Sequence, residues 1–204
     1  MNKINTKKGF TLIELLIVIG LLAILATVTL LVINPAQMFA QARDSQRISD
    51  LNTLKSALAL YVSTATTPSL GSSDTVIWGT RATTSVGTLA YRLFADRNKA
   101  TFLGATATTS VGTSGWIPVA FADTTGGSPI SVLPFDPTSF DVATNSNTNA
   151  VYAYYYTASS TGVVFELDAN LESARYIQSG PDDKESTDGG DRAYMYEVGT
   201  AVNL

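Results

Sequence analysis

The chain has 204 residues, is 45% hydrophobic, and carries 13 Lys and Arg against 17 Asp and Glu, with no cysteine and no histidine. Those two absences exclude disulfides, thiol nucleophiles, Ser-His-Asp triads and the usual zinc sites, and the length suits one modest domain with an anchor rather than two large domains. Three of the lysines, Lys3, Lys7 and Lys8, fall in the first nine residues; without those nine, ten basic residues face seventeen acidic ones, a formal charge of −7. An acidic body of this kind has no general attraction for nucleic acid, and no nucleic-acid partner is expected.

From Phe10 to Ile33 the only charged residue is Glu14. Twenty-four residues make about 36 Å of helix, enough to cross a hydrocarbon core of about 30 Å. A cleavable secretory signal would have a shorter apolar stretch and a better small-residue cut site than Ala23 and Ala26 provide. The lysines before Phe10 put the N-terminus on the cytoplasmic side and the remaining chain outside that membrane. A lone carboxylate in such a run is costly. A cut between Gly9 and Phe10 would create an amine four residues, or about 6 Å of helix, from Glu14. In a bundle of parallel copies the carboxylate of one subunit could then neutralise the amine of its neighbour.

The stretch Lys7-Lys8-Gly9-Phe10-Thr11-Leu12-Ile13-Glu14-Leu15 resembles the N-terminal signal of type IV pilins and type II secretion pseudopilins. The resemblance is strong from Lys7 to about Ile33 and weaker to about Tyr61. It implies cleavage after Gly9 by a prepilin peptidase, methylation of the new N-terminal Phe10, and an assembly role for Glu14. It also implies self-association into a filament, an assembly platform as partner, and the bacterial inner membrane as single-pass location before assembly.

Pro35 removes a backbone donor and disfavours helix at Asn34, so a kink is expected there. Beyond it Phe39, Ala42, Ile48, Leu51, Leu54, Leu58 and Tyr61 approximate a helical stripe, with Arg43, Asp44, Arg47 and Asp50 on other faces. The sequence therefore divides into a leader over 1–9, a membrane helix over 10–33, an amphipathic helix over 34–63 and a head over 64–204. The head opens on Ser-, Thr-, Gly- and Ala-rich stretches at 63–74 and 105–115, read as loops. The hydroxyls there leave O-glycosylation open. Thr-Thr-Ser-Val-Gly-Thr occurs at 83–88 and 108–113, too few copies for a solenoid, and 89–98 fits a short helix.

Strands are expected at 151–157, 163–168 and 193–198, from tyrosine, valine and alternating patterns. Their tyrosines read as sheet residues with wet hydroxyls. The fold class is α+β: a long N-terminal helix packed against a small antiparallel sheet head. Ahead of the strands, Leu133-Pro134-Phe135-Asp136-Pro137 resembles a turn of the major pseudopilin family, with Thr138-Ser139 where that family commonly has Trp-Gly.

Between the last two strands lies "GPDDKESTDGGDR", residues 180–192, with five acids and three glycines. Clustered carboxylates on a glycine-containing loop can supply oxygen ligands to calcium, and major pseudopilins also carry an acidic calcium loop near the C-terminus. Asp182, Asp183, Asp188 and Asp191 are the candidate ligands for a structural calcium ion; a solvated acidic turn fits equally well. The loop is not an EF-hand, since Lys184 would stand at its first position.

The reading that unites these features is a structural filament subunit, not an enzyme, in the pseudopilin branch supporting protein secretion. Its competitors are an extracellular pilin for adhesion, motility or DNA uptake, and an anchored binding domain that never polymerises. An anchored enzyme would need a carboxylate pair; Glu166 and Asp168 share a strand face but no cleft is evident.

Overall fold

The computed structural model describes residues 9–71, 76–80, 101–104, 109–138, 152–159 and 163–204. The expected helix at 89–98 and the first hexapeptide copy lie outside these residues. The chain forms two compact units, one ending at Phe39 and the other running from Ala40 to Leu204.

In the first unit, α1 (Leu12–Ile33) is a 22-residue helix, about 33 Å long. Leu16, Ile17, Leu21, Ile24 and Leu25 are all more than half exposed. A helix that is apolar all round and covered by nothing in its own unit belongs in an apolar surrounding. It is long and apolar enough to cross a membrane. The helix ends at Asn34, whose φ of 43° lies in the left-handed region that Asn tolerates better than most residues. Pro35 is then the first residue of α2 (Pro35–Thr64), where its missing N–H would have had no partner in any case. Asn34 still donates to the Leu30 carbonyl, while its own carbonyl accepts from Gln37 and Met38.

In the second unit five strands follow α2: β1 (Val76–Gly79), β2 (Thr101–Gly104), β3 (Tyr154–Ala158), β4 (Phe165–Ala169) and β5 (Tyr196–Gly199). They lie in the order β2-β1-β3-β4-β5. Four strands form an antiparallel sheet, and β2 joins its edge parallel to β1. The fold is thus α+β, as the sequence indicates, with two strands more than its patterns mark. β1 reads Val-Ile-Trp-Gly and β2 Thr-Phe-Leu-Gly, without the polar–apolar alternation that marks a strand.

Tyr154, Tyr156, Phe165, Leu167 and Val198 face Leu51, Leu54, Leu58 and Tyr61 of α2 in the main core. Trp116, Ile117, Val119, Phe121 and Leu133, from the irregular segment 109–138, complete it. Two expectations are corrected here. Every residue of β3 and β4 is buried, so both sheet faces are covered, and the tyrosine hydroxyls are bonded inside rather than wet. Tyr154 donates to Asp50 at 2.8 Å and Tyr156 to the Leu70 carbonyl at 2.9 Å. The buried face of α2 also differs from the apolar stripe: Asp44 and Arg47 lie on it, while Phe39 is 65% exposed and Ala42 is exposed as well. The cause is polar, and it leads to the turn at 133–137.

Arg47 is fully buried and gathers three carboxylates. Its Nη1 donates to Asp44 at 2.7 Å and to Glu172 at 2.9 Å, while Nε and Nη2 donate to the two oxygens of Asp136 at 2.7 and 3.0 Å. Arg43 forks onto the same Glu172, and the Tyr152 ring lies 4.8 Å from the Arg47 guanidinium carbon. Burial weakens the Arg47 charge, but Asp136, Glu172 and Asp44 more than offset this and hold its pKa above the ordinary value. Thr138 joins the cluster, donating to Asp136 Oδ1 at 2.7 Å and accepting from Arg47 Nη2 at 2.9 Å. Thr138, just after the turn at 133–137, is thus a working member of this clamp.

Candidate functional site

Gly9 and Phe10 lie outside the helix and exposed, Phe10 by 89%. Helix α1 begins after Thr11, an extended N-cap residue at φ −83° and ψ 153°. The Thr11 hydroxyl accepts from the Glu14 N–H at 3.3 Å, and Glu14 Oε2 accepts from both the N–H and the hydroxyl of Thr11 at 2.8 Å. This is a capping box, in which two otherwise orphaned helix donors are satisfied reciprocally. The carboxylate also sits where the positive end of the helix dipole favours it. Glu14 is therefore drawn to the very start of α1, one turn from the Gly9–Phe10 bond. The sequence signal for it is Thr11 followed three residues later by Glu14, the spacing of a capping box.

The four aspartates considered for calcium behave differently from one another. Asp182 pairs with Lys184 at 2.9 Å and Arg175 at 3.5 Å, and the Lys184 bond leads in holding its carboxyl below the usual range. Asp183 Oδ1 accepts from the N–H groups of Glu185 and Ser186, and Oδ2 from the Ser179 N–H and the Ser186 hydroxyl. The Ser186 hydroxyl leads in lowering its pKa. Asp188 accepts from the N–H groups of Gly190 and Glu197, and burial pushes its carboxyl up. Asp191 is exposed and lies 4.0 Å from Arg192. Glu185, not among the candidates, is buried and bonds the N–H groups of Leu171 and Gln178; burial raises its pKa. Gly190 packs so tightly against Glu197 that a Cβ there would sit 2.0 Å from Oε2.

Among the described residues, the one group of three carboxylates whose ligand oxygens lie within 4.8 Å of one another is Glu166, Asp168 and Glu197. Cross-strand register explains it: Asp168 stands opposite Glu197, with Glu166 two residues away on the same face. All three are buried. Glu166 accepts from the Leu204 N–H at 2.7 Å and Glu197 from the Arg192 N–H at 2.8 Å. An open groove of about 480 Å³ runs along α2, lined by Ser49, Asn52, Thr53, Ser56, Leu60 and Ile130. None of those side chains is ionisable, and none can serve as acid or base.

Residues 4–30 match the family model described as "Prokaryotic N-terminal methylation motif", the prepilin-type signal of type IV pilins and pseudopilins. The match takes in Gly9, Phe10, Glu14 and most of α1. No curated protein and no solved structure matches the chain.

Proposed function

We propose that this chain, which bears a prepilin-type methylation signal on an apolar helix, is a structural subunit of a type IV pilus-like filament. In this reading a prepilin peptidase cuts after Gly9, Phe10 is methylated at its new amine, and α1 anchors the subunit in the bacterial inner membrane before packing among its copies. The observation that carries the proposal is the motif at residues 4–30 joined to the placement of Glu14, the one charge in the helix, at the turn next to the cut. Within the membrane a carboxylate without a counter-charge is costly, so exchange of the Thr11 donors for a neighbour's amine favours the assembled state.

Within this class we place the chain in the pseudopilin branch that supports protein secretion, on the Leu133-Pro134-Phe135-Asp136-Pro137 turn. An extracellular pilin is the second reading, favoured by Thr138-Ser139 standing in place of Trp-Gly. Either subunit works by assembling rather than by catalysis.

The intact mass of the protein from membranes of cells carrying a prepilin peptidase tests the proposal. Loss of Met1 to Gly9 with the gain of one methyl group is expected. A full-length mass, in cells where a known substrate is cut, overturns it. Glu14→Ala should then leave the mature subunit in the membrane and deplete filaments in sheared or secreted fractions. Labelling of long surface fibres would select the pilin over the pseudopilin.

A further inference from the structure

A calcium ion orders an acidic loop by collecting carboxylate and carbonyl oxygens around one centre, typically 6 to 8 of them. Three of the five carboxylates of residues 173–192, Asp183, Glu185 and Asp188, are instead turned onto backbone N–H groups. Asp183 is the clearest case: each oxygen already accepts two donors, at distances between 2.6 and 3.0 Å, which fills the lone pairs a metal would need. Glu185 ties the Leu171 and Gln178 N–H groups, and Asp188 ties those of Gly190 and Glu197. Asp182 has Lys184 and Arg175 as its counter-charges. In these bonds N–H groups and the Ser186 hydroxyl donate to carboxylates, the charge-assisted class that is about twice as strong as a neutral pair. They reach from the end of β4 to the start of β5.

We infer that this loop closes without a divalent cation, its own carboxylates gathering the backbone donors that must be satisfied when the loop folds. The donor set does not fit calcium as the related loops would suggest, because the candidate ligands are divided among separate tasks. Asp183 organises 179–186, Asp188 joins 190 to 197, and Asp182 belongs to a surface ion pair. Gly190 completes the arrangement by letting the backbone close on Glu197.

The test uses the full chain in detergent micelles, with thermal unfolding followed in excess chelator and in calcium chloride at matched ionic strength. The wild-type midpoint should be the same in both, and titration of calcium alone should give no saturable heat. Asp183→Ala should lower the midpoint by about 5 °C, and that gap should persist in chelator, since the bonds lost are internal. If calcium binds saturably and raises the wild-type midpoint, and the gap to Asp183→Ala collapses in chelator, the inference is overturned. Should Asp183→Ala fail to fold, Ser186→Ala gives the same comparison on a smaller scale, because it deletes one donor and no candidate ligand.

Discussion

Arg47 keeps its charge in the interior because every side of its guanidinium meets an acceptor: Asp44, Asp136, Glu172 and Thr138. Such a pair adds little over a well-packed apolar substitute, but removing one partner strands the others. Arg47→Met should therefore cost about 3 to 5 kcal/mol in denaturant unfolding, since Asp44 and Asp136 would stay buried without a counter-charge. Arg47→Lys should recover only part of that loss, because a point charge cannot fork onto Asp136. Glu172 makes the cluster sensitive to acid. Burial pushes its carboxyl up, but Arg43 and Arg47 more than offset this and hold it below its ordinary 4.5. A carboxyl with a depressed folded pKa stabilises the native state above its unfolded value, and that contribution is lost as pH falls through the folded one. Unfolding midpoints of the wild type and Glu172→Gln should differ at neutral pH and draw together below pH 4.5.

At the scale of elements, legibility followed the length of the pattern. The apolar run over 10–33 could be read because a membrane-length helix needs no partner in the chain to declare itself. The strands at 154–158, 165–169 and 196–199 could be read because tyrosine and valine favour a pleated surface. The buried face of α2 could not. Its Asp44 and Arg47 look like a surface i,i+3 pair until Asp136 and Glu172, 89 and 125 residues from Arg47, arrive in space. The bonding of the acidic loop is illegible for a related reason, since composition records carboxylates without recording which N–H groups they hold. The break at Asn34 is set locally and can be tested locally. Ala at both Asn34 and Pro35 restores a good helix former and the missing donor. Hydrogen exchange in micelles should then show the amides of residues 36–38 more protected than in the wild type; unchanged protection would mean that the break is imposed by something other than these two residues.

Over the whole molecule, charge and apolar surface pull assembly in opposite directions. In the proposed filament, loss of the first nine residues would remove three lysines and leave a formal charge of −7, so neighbouring heads would repel one another. The Debye length is about 30 Å at 0.01 M salt and about 10 Å at 0.1 M, so the repulsion spans neighbouring subunits in the first case and fades in the second. In the proposed assembly a Glu14–amine pair inside an apolar bundle would be shielded from those ions. Salt should then tune how much filament forms without deciding whether it forms. Pelleting of mature subunits should rise between about 0.01 M and 0.1 M sodium chloride, while Glu14→Ala should stay in the supernatant at both. Calcium chloride at the same ionic strength should do no more than sodium chloride, because Asp183, Glu185 and Asp188 already accept hydrogen bonds from backbone N–H groups. A saturable surplus in calcium would instead place a cation between heads, and exposed Asp191 is the first carboxylate to substitute in finding it.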